Sequence, residues 1–249
     1  MTDRPKTLLL IGATSDIGRA TALAYAQAGW NIILAARNET TACRNRDDIA
    51  TRSTAAVSIQ ALDILETERL KSFVDDLPVL PDTVVCVVGE LGNQERAQWD
   101  LKHASMVMRT NFEGPSLLLG LLAERFLARG SGAIVGVSSV AGDRGRGSNY
   151  VYGASKAGFS AFLSGLRNRL SSTRLRVVTV KPGFVRTRMT AGMKLPPFLT
   201  AEPEEVGSAI FAAAEGSRGR DIIYVRSIWR PVMFAISSIP EPLFKRLGL

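Results

Sequence analysis

"LLLIGATSDIGRATALAYA", residues 8–26, carries an apolar run into a helical pattern through Gly12 and Gly18. The run at Thr7–Ile11 is short and aliphatic, as buried strands are, and residues 17–28 are predicted to be helical. Glycine lets the backbone approach a pyrophosphate, and a helix N-terminus offers free N–H groups and the positive end of its dipole. Glycines also serve tight turns, but their place between the first strand and a helix indicates a nucleotide-binding site.

Strand and helix patterns alternate along the rest of the chain. Further strands are predicted at residues 31–35, 56–62, 83–88, 132–138, 175–181 and 221–225, and further helices at 101–128, 152–170 and 203–215. Nearly continuous apolar strands between helices indicate a parallel sheet that is covered on both faces. The predicted fold is α/β, a single doubly wound, Rossmann-type three-layer sandwich with a seven-stranded parallel sheet. Ligands of such sheets bind beyond the carboxyl ends of the strands.

Composition limits the class of protein. The chain has 249 residues, of which 46% are hydrophobic, and this predicts one large core and one domain over residues 1–249. It has no apolar run of about eighteen residues and no cleavage-site pattern, which predicts a cytoplasmic protein. The net charge of +8 favours an anionic partner, but the basic residues are scattered, which argues against nucleic acid. Two distant cysteines and a single histidine predict reduced thiols and no metal site.

Two polar positions follow the second and third predicted strands. Arg37, followed by Asn38, lies where the ribose of a bound adenosine is expected. An acidic residue there would pair with a 2'-hydroxyl, whereas an arginine neutralises a 2'-phosphate. Arg37 therefore favours NADP(H), and NAD(H) is the alternative if Arg37 is only a solvated loop charge. Two roles are open for Asp63. Its carboxylate would accept a hydrogen bond from the adenine amino group, or it would cap the N-terminus of the next helix.

"SNYVYGASKAG", residues 148–158, contains two tyrosines and one lysine. Residues four apart lie one above the other on a helix, so Tyr152 shares a face with Lys156 while Tyr150 is paired with Ala154. Tyr152 is therefore the candidate acid or base. The nearby ammonium is expected to favour its phenolate and to lower the pKa of the phenol.

Ser139 closes the fifth predicted strand, and a hydroxyl beside the phenol would stabilise charge on a carbonyl oxygen. Five elements follow one another in a fixed order along the chain: Gly12 and Gly18 after the first strand, Asn111 in "RTNFEGP", Ser139, Tyr152-x-x-x-Lys156 and "KPGFVRT". Together these elements resemble the short-chain dehydrogenase/reductase family, from Thr7 to about Tyr224. The resemblance implies an NAD(P)-dependent enzyme that moves hydride between a nicotinamide and a carbonyl or secondary alcohol.

The same resemblance implies a role for each matching residue. Tyr152 would protonate the carbonyl, or deprotonate the alcohol, while Lys156 would lower its pKa and bond the nicotinamide ribose. Ser139 would orient the carbonyl, and Asn111 would hold a water that links Lys156 to solvent. The implied cofactor-binding positions are Gly12, Ser15, Asp16, Ile17, Gly18, Arg37, Asp63, Gly89, Tyr152, Lys156, Pro182, Gly183, Val185 and Thr187.

Two departures from the family pattern narrow the resemblance. The usual TGxxxGxG reads IGATSDIG at residues 11–18, and the usual NNAG reads VVGELG at residues 87–92, with Gly89 retained. These segments, "SSVAGDRGRGSNYVYGASKAG" and the C-terminal tail are similar to the decaprenylphosphoryl-2-keto-ribose reductase subfamily. That is the reductase half of decaprenylphosphoryl-ribose 2'-epimerase. The similarity implies a phosphate-bearing, polyprenyl-linked keto-sugar as the substrate and a flavin-dependent oxidase as a partner.

Two loops and the tail carry further signals. Five cations lie between Ser139 and Tyr152 or in the predicted substrate loop, residues 186–203: Arg144, Arg146, Arg186, Arg188 and Lys194. If both loops overhang the cleft, these cations face an anionic substrate; otherwise they are solvated loop charges.

The tail, residues 228–249, is too broken by serine and proline to cross a bilayer. It packs on a sister subunit, covers a lipid-linked substrate, or meets the inner membrane face as a peripheral contact.

Two other classes of function stay open at this stage. A catalytically idle NAD(P)-binding sensor or scaffold needs the phosphate-binding glycines but no Ser–Tyr–Lys–Asn set. A nucleic-acid-binding protein would be retained on DNA or RNA with a steep dependence on salt. The family resemblance also implies a homodimer or homotetramer built through the predicted helices at 101–128 and 152–170.

Overall fold

The computed structural model describes residues 4–217 and 219–247, and within them it contains nine strands. These are β1 (Thr7–Ile11), β2 (Asn31–Ala36), β3 (Val57–Ala61), β4 (Thr83–Cys86), β5 (Gly132–Val137), β6 (Leu175–Pro182), β7 (Phe184–Val185), β8 (Thr200–Ala201) and β9 (Ile222–Val225). Seven of them form one parallel sheet in the order β3-β2-β1-β4-β5-β6-β9. The strand order reverses between β1 and β4, so a crevice opens there at the carboxyl ends. The predicted seven-stranded parallel sheet is confirmed.

Helices cover both faces of this sheet. They are α1 (Asp16–Gln27), α2 (Glu39–Arg52), α3 (Leu70–Asp75), α4 (Gln94–Ala97), α5 (Leu101–Met108), α6 (Gly114–Arg129), α7 (Tyr150–Arg169), α8 (Pro203–Glu215), α9 (Trp229–Ser238) and α10 (Glu241–Phe244). A π-helical turn, Arg109–Glu113, joins α5 to α6.

The core consists of two apolar layers on opposite faces of the sheet. Every residue of β1 is buried, and its successive side chains alternate between the layers. Leu8 and Leu10 pack in the layer that contains side chains of α1 and α8, whereas Leu9 and Ile11 pack in the layer with α3, α6 and α7. Strands buried on both faces give the near-continuous apolar runs from which the sheet was predicted, and the three-layer sandwich is confirmed.

The predicted strand positions agree with the structure to within two residues, but one of the four predicted helices does not. The single helix predicted at 101–128 is wrong, because the π-helical turn separates α5 from α6. In that turn the fully buried Asn111 side chain donates to the carbonyl oxygens of Val107 at 2.8 Å and Glu90 at 2.7 Å. Helix α2 is missing from the prediction because most of its residues are polar and few are buried.

The C-terminal segment packs against the end of the sheet. Helix α9 buries Trp229 and Met233 in a cluster with Val140, and Phe184 packs against it. None of the described helices is long and apolar enough to cross a membrane. The predicted domain, 1–249, and its tail extend past the described residues, because residues 1–3, 218 and 248–249 lie outside the structural description.

Candidate active site

The turn between β1 and α1 packs its backbone tightly against neighbouring parts of the chain. Gly12 has a φ of +88°, which favours glycine, and a Cβ there would lie 3.0 Å from the backbone nitrogen of Val88. A Cβ on Gly18 would lie 2.6 Å from the Gly12 carbonyl oxygen. The Ser15 hydroxyl donates to the Gly12 carbonyl at 3.0 Å and accepts from the Gly18 N–H at 3.0 Å. Both predicted glycines are therefore required by the geometry of this turn.

A cleft of about 720 Å³ runs from this turn along the carboxyl ends of β1, β2 and β4. Arg37 and Asn38 line its outer end, as predicted from their place after β2. Asp63 does not line the cleft, although its neighbours Leu62 and Ile64 do. The Asp63 carboxylate accepts from the Leu65 N–H at 2.9 Å and closes a local turn, so the predicted helix cap is wrong. Its hydrogen bond to adenine stays a prediction.

Arg188 connects residues 186–203, the predicted substrate loop, to the glycine turn. Its backbone N–H donates to the Asp16 carboxylate at 2.8 Å, and its guanidinium donates to the Thr14 carbonyl oxygen. A carboxylate in the first turn of α1 would repel a pyrophosphate bound at that helix N-terminus. The ion pair between Arg188 and Asp16 offsets this repulsion. Both side chains line the cleft, together with Thr14, Ser15, Ile17 and Thr187.

A second chamber of about 180 Å³ lies beside the cleft. The two spaces adjoin each other, and they share the lining residues Ile17, Val87, Val88, Gly89, Leu91, Thr187 and Met189. Ser139, Tyr152 and Lys156 line the chamber on one side. The structure therefore brings three of the four predicted catalytic residues to the inner end of the predicted nucleotide cleft.

Tyr152 and Lys156 both face this chamber, as their spacing on α7 predicts. Tyr150 is 45% exposed and does not line it. The Lys156 ammonium lies 5.9 Å from the centre of the Tyr152 ring. It donates to the backbone carbonyls of Val88 at 3.2 Å and Val137 at 3.1 Å. The phenol and the ammonium therefore share one buried environment, in which the ammonium is held by the ends of β4 and β5.

Burial dominates the acid–base properties of this pair. It raises the pKa of Tyr152 from 10.0 to about 12, against a smaller lowering by the Ser139 side chain. Burial also lowers the pKa of Lys156 from 10.5 to about 8. The expected net lowering of the pKa of the phenol is wrong, because desolvation of Tyr152 is the largest effect on it. Backbone carbonyls hold the ammonium. Tyr152 is a protonated phenol at neutral pH.

The two serines after β5 differ in what they contact. The Ser138 hydroxyl donates to the Lys156 carbonyl oxygen at 2.9 Å and shares a hydrogen bond with Ser160 at 2.7 Å. The Ser139 hydroxyl accepts from the Ala141 N–H at 3.1 Å, which leaves its own proton available for donation. Ser139 is therefore the serine that can hydrogen-bond a substrate carbonyl in the chamber.

Asn111 fixes the backbone next to Lys156. Besides its two donated bonds, its Oδ1 accepts from the Glu90 N–H at 3.1 Å. A Cβ on Gly89 would lie 3.2 Å from Asn111 Oδ1 and 3.3 Å from the Lys156 ammonium, so glycine lets these groups approach each other. Asn111 itself does not line the chamber. Its predicted role, to hold a water beside Lys156, stays a prediction.

The opposite wall of the chamber is formed where β6 ends and β7 begins. Pro182, Gly183 and Val185 line it, as the sequence predicts. A Cβ on Gly183 would lie 1.9 Å from the Trp229 indole, so the glycine admits this ring, whose N–H donates to the Leu199 carbonyl at 3.1 Å. Sequence reasoning does not assign Trp229 to the chamber, because a contact between a glycine and a distant indole leaves no periodic signal.

The prediction that five loop cations face the substrate together is wrong. Lys194 is exposed and does not line the chamber. Carboxylates hold three of the others, in the pairs Arg144–Glu241 at 2.6 Å, Arg186–Glu202 at 2.9 Å and Arg188–Asp16 at 3.3 Å. Arg146 lines the chamber. The chain therefore presents a single guanidinium to the chamber from among the five predicted cations.

The doubly wound sheet, the glycine turn and the adjoining chamber define an oxidoreductase of the nucleotide-binding type. Residues 6–195 match the family model described as short chain dehydrogenase, and the chain belongs to this family. An uncharacterized oxidoreductase of Mycobacterium tuberculosis is 34% identical over 253 residues, which cover 96% of this chain and 96% of that protein. Sulfoacetaldehyde reductase 2 of Chromohalobacter salexigens is 33% identical over 188 residues, or 74% of each chain. The predicted enzyme class, a short-chain dehydrogenase/reductase, is confirmed.

Solved structures share the fold. A short-chain dehydrogenase from Sphingobium yanoikuyae, determined in complex with NADPH, aligns with a TM-score of 0.80 at 23% identity. The alignment covers 95% of this chain and 97% of that one. At this identity the likeness establishes the architecture of the chain.

Proposed function

We propose that the protein reduces a carbonyl group to an alcohol, and oxidises the alcohol in reverse, with NADP(H) as the hydride carrier. The observation that carries this proposal is that the glycine-turn cleft adjoins the chamber that contains Tyr152 and Lys156, with seven lining residues in common. Hydride and proton transfer to one substrate require both donors to reach the same carbonyl, which adjoining spaces favour.

The residues of the cleft fit a phosphorylated dinucleotide. Cβ atoms on Gly12 or Gly18 would fill the turn, and the first N–H groups of α1 would bind the pyrophosphate. Arg37 at the outer end would pair with a 2'-phosphate, which favours NADP(H) over NAD(H). When bound, the nicotinamide supplies the hydride. Further contacts to the cofactor are proposed for Ser15, Asp16, Ile17, Asp63, Gly89, Tyr152, Lys156, Pro182, Gly183, Val185 and Thr187.

Tyr152 is the proposed proton donor. Its pKa of about 12 keeps the phenol protonated at neutral pH, which suits donation to a carbonyl oxygen during reduction. Lys156, with a pKa of about 8, is mostly an ammonium at pH 7 and stabilises the phenolate that donation leaves. Ser139 donates a hydrogen bond to the same carbonyl oxygen and offsets the charge that develops there. The protonated phenol is the form that reduction requires, and the reverse oxidation requires the phenolate.

Asn111 is proposed to help restore the proton on Tyr152. Its Oδ1 lies beside Gly89 and the Lys156 ammonium and uses one hydrogen bond, to the Glu90 N–H. A carbonyl oxygen accepts two hydrogen bonds, so a water can bond to the remaining lone pair and to the ammonium. That water would connect Lys156 to solvent.

The proposed substrate is a keto-sugar linked through phosphate to a polyprenyl chain. The mostly apolar lining of the chamber supports a lipid-linked substrate. Exposed apolar side chains of residues 186–203 and of the C-terminal tail support it as well: Met189, Met193, Phe198, Phe234 and Leu243. We propose that residues 186–203 cover the substrate, because Met189, Thr190 and Met193 line the chamber. The relative from Chromohalobacter salexigens is named for a sulfonate-bearing aldehyde, which supports an anionic substrate.

Partners are proposed on the same basis. Leu101, Met108 and Leu117 are exposed along α5 and α6, which supports a homodimer or homotetramer. A flavin-dependent oxidase partner and a peripheral membrane contact rest on the subfamily resemblance of the sequence.

A thermal-shift titration with NADPH and NADH, followed by turnover assays, tests the proposed function. NADPH at one hundred times its Kd is expected to add about 2.7 kcal/mol of stability, with a smaller effect of equimolar NADH. NADPH oxidation is then followed with 4-carboxybenzaldehyde and its methyl ester. Stabilisation by neither nucleotide contradicts the cofactor assignment. Binding of NADPH with no turnover of any aldehyde or ketone favours the idle sensor instead.

A further inference from the structure

Arg146 is a half-buried guanidinium in the wall of the chamber. Its Nε is fully buried and has no hydrogen-bond partner. Within residues 4–217 and 219–247, no carboxylate lies within ion-pair distance of its side chain. Burial without a compensating charge lowers the pKa of this guanidinium. A cation held in this way loses part of its hydration, and no hydrogen bond or ion pair from the described residues replaces it.

Asn149 lies close to Arg146 in the wall of the chamber. Asn149 precedes α7, its backbone N–H donates to the Arg146 carbonyl at 3.1 Å, and its buried Oδ1 has no partner. Both side chains line the chamber, whose other walls include Val140, Met193 and Trp229. The unpaired Nε–H donor of Arg146, in a chamber with mostly apolar walls, marks a place for a hydrogen-bond acceptor of the ligand.

The loop that carries Arg146 is anchored to the sheet. Asp143, three residues earlier, pairs with Lys181 on β6 at 2.5 Å, and the two side chains are 10% and 13% exposed. The Tyr224 hydroxyl on β9 donates to the other oxygen of Asp143 at 2.9 Å. Arg144 is held by Glu241, and its guanidinium lies 4.3 Å from the centre of the Phe244 ring. These contacts fix the loop, so Arg146 is positioned before any ligand arrives.

We infer that Arg146 binds an oxyanionic group of the substrate, so that the enzyme selects carbonyl compounds with a carboxylate, sulfonate or phosphate on an apolar body. This inference rests on the proposed carbonyl reduction and adds its specificity determinant. An arginine fork binds such oxygens through two parallel hydrogen bonds, and the low polarity around it strengthens both. The Lys156 ammonium also lines the chamber, but backbone carbonyls hold it beside the reacting phenol. Arg146 is the lining cation whose side chain has no hydrogen bond or ion pair among the described residues, and it can distinguish an anion from a neutral ester.

Four benzaldehydes of matched shape test the inference: 4-carboxybenzaldehyde, its methyl ester, 4-formylbenzenesulfonate and 4-formylphenyl phosphate. The NADPH-loaded wild-type enzyme is expected to show a kcat/KM at least about tenfold higher for an anion than for the ester. Arg146→Gln is expected to bring this ratio near one with little change for the ester, and Arg146→Lys to retain part of it. Arg174→Gln removes the same charge at an exposed position outside the chamber and is expected to keep the full ratio. The anion with the highest kcat/KM, among the carboxylate, the sulfonate and the phosphate, identifies the oxyanionic group that Arg146 binds best.

A binding measurement separates this inference from the proposed function. The dissociation constant of 4-(hydroxymethyl)benzoate is measured by calorimetry on the NADPH-loaded wild-type and variant enzymes, in which the alcohol has no hydride acceptor and cannot react. Arg146→Gln is expected to weaken binding at least about tenfold and to leave the affinity for NADPH unchanged. Equal binding by Arg146→Gln and wild type, or an unchanged anion-to-ester ratio, overturns the role of Arg146. Loss of turnover with retained Arg146-dependent binding contradicts the proposed reaction alone.

Discussion

Lys156→Met provides a quantitative test of how strongly the site desolvates its lysine. The pKa of Lys156 falls from 10.5 to about 8 in the folded protein, which corresponds to about 3 kcal/mol at 1.36 kcal/mol for each tenfold change in proton affinity. Because the folded value is the lower one, the unfolded chain binds more protons between pH 8 and 10.5. The lysine therefore destabilises the fold below pH 8, and this cost disappears as the pH rises toward 10.5.

The free energy of unfolding of the ligand-free protein is measured by urea denaturation from pH 7 to 10.5, for wild type and Lys156→Met. Loss of the bonds to the Val88 and Val137 carbonyls changes the stability of the variant by an amount independent of pH. The free energy of unfolding of wild type, relative to that of Lys156→Met, is expected to rise by up to about 3 kcal/mol from pH 7 to 10.5. Cys86, whose pKa burial raises to about 11, titrates in both proteins and largely cancels. Parallel stability curves would refute the desolvation of Lys156.

Two further variants probe the nucleotide cleft. Gly18→Ala places a Cβ 2.6 Å from the Gly12 carbonyl oxygen and is expected to cost about 1–3 kcal/mol of stability and to weaken NADPH binding. Gly165→Ala, on an open surface of α7, is its control and is expected to add about 0.5–1 kcal/mol in the same denaturation and titration series; equal effects of both variants contradict the steric argument. Arg37→Gln is expected to weaken NADPH binding about tenfold and to leave NADH binding unchanged, as measured by fluorescence titration. A parallel loss for both nucleotides counts against recognition of a 2'-phosphate.

Local patterns in the sequence predict much of the fold and part of the site. The strands follow from short aliphatic runs, because strands buried on both faces leave that signal. The shared face of Tyr152 and Lys156 follows from helical spacing alone. The interruption at Arg109–Glu113 does not, because it depends on hydrogen bonds between Asn111 and Glu90, 21 residues away.

Charges and pKa values in the site depend on contacts that no local pattern contains. Arg144 finds its carboxylate 97 residues along the chain, at Glu241, which removes it from the expected cluster of cations. The raised pKa of Tyr152 requires its depth in the chamber, whereas sequence reasoning considers only its neighbour on the helix. Arg146 is singled out only once the partners of the other loop cations are known.

Tyr152→Phe, compared with Tyr150→Phe, tests proton donation by Tyr152 most directly. Both variants remove one phenol hydroxyl from α7, but Tyr150 is 45% exposed and lies outside the chamber. NADPH-loaded enzyme is mixed with 4-carboxybenzaldehyde, and a single turnover is followed by loss of NADPH absorbance. At saturating NADPH, Tyr152→Phe is expected to slow this step by about 10²–10⁴-fold, and Tyr150→Phe to match wild type. A wild-type rate in Tyr152→Phe would contradict proton donation by this residue.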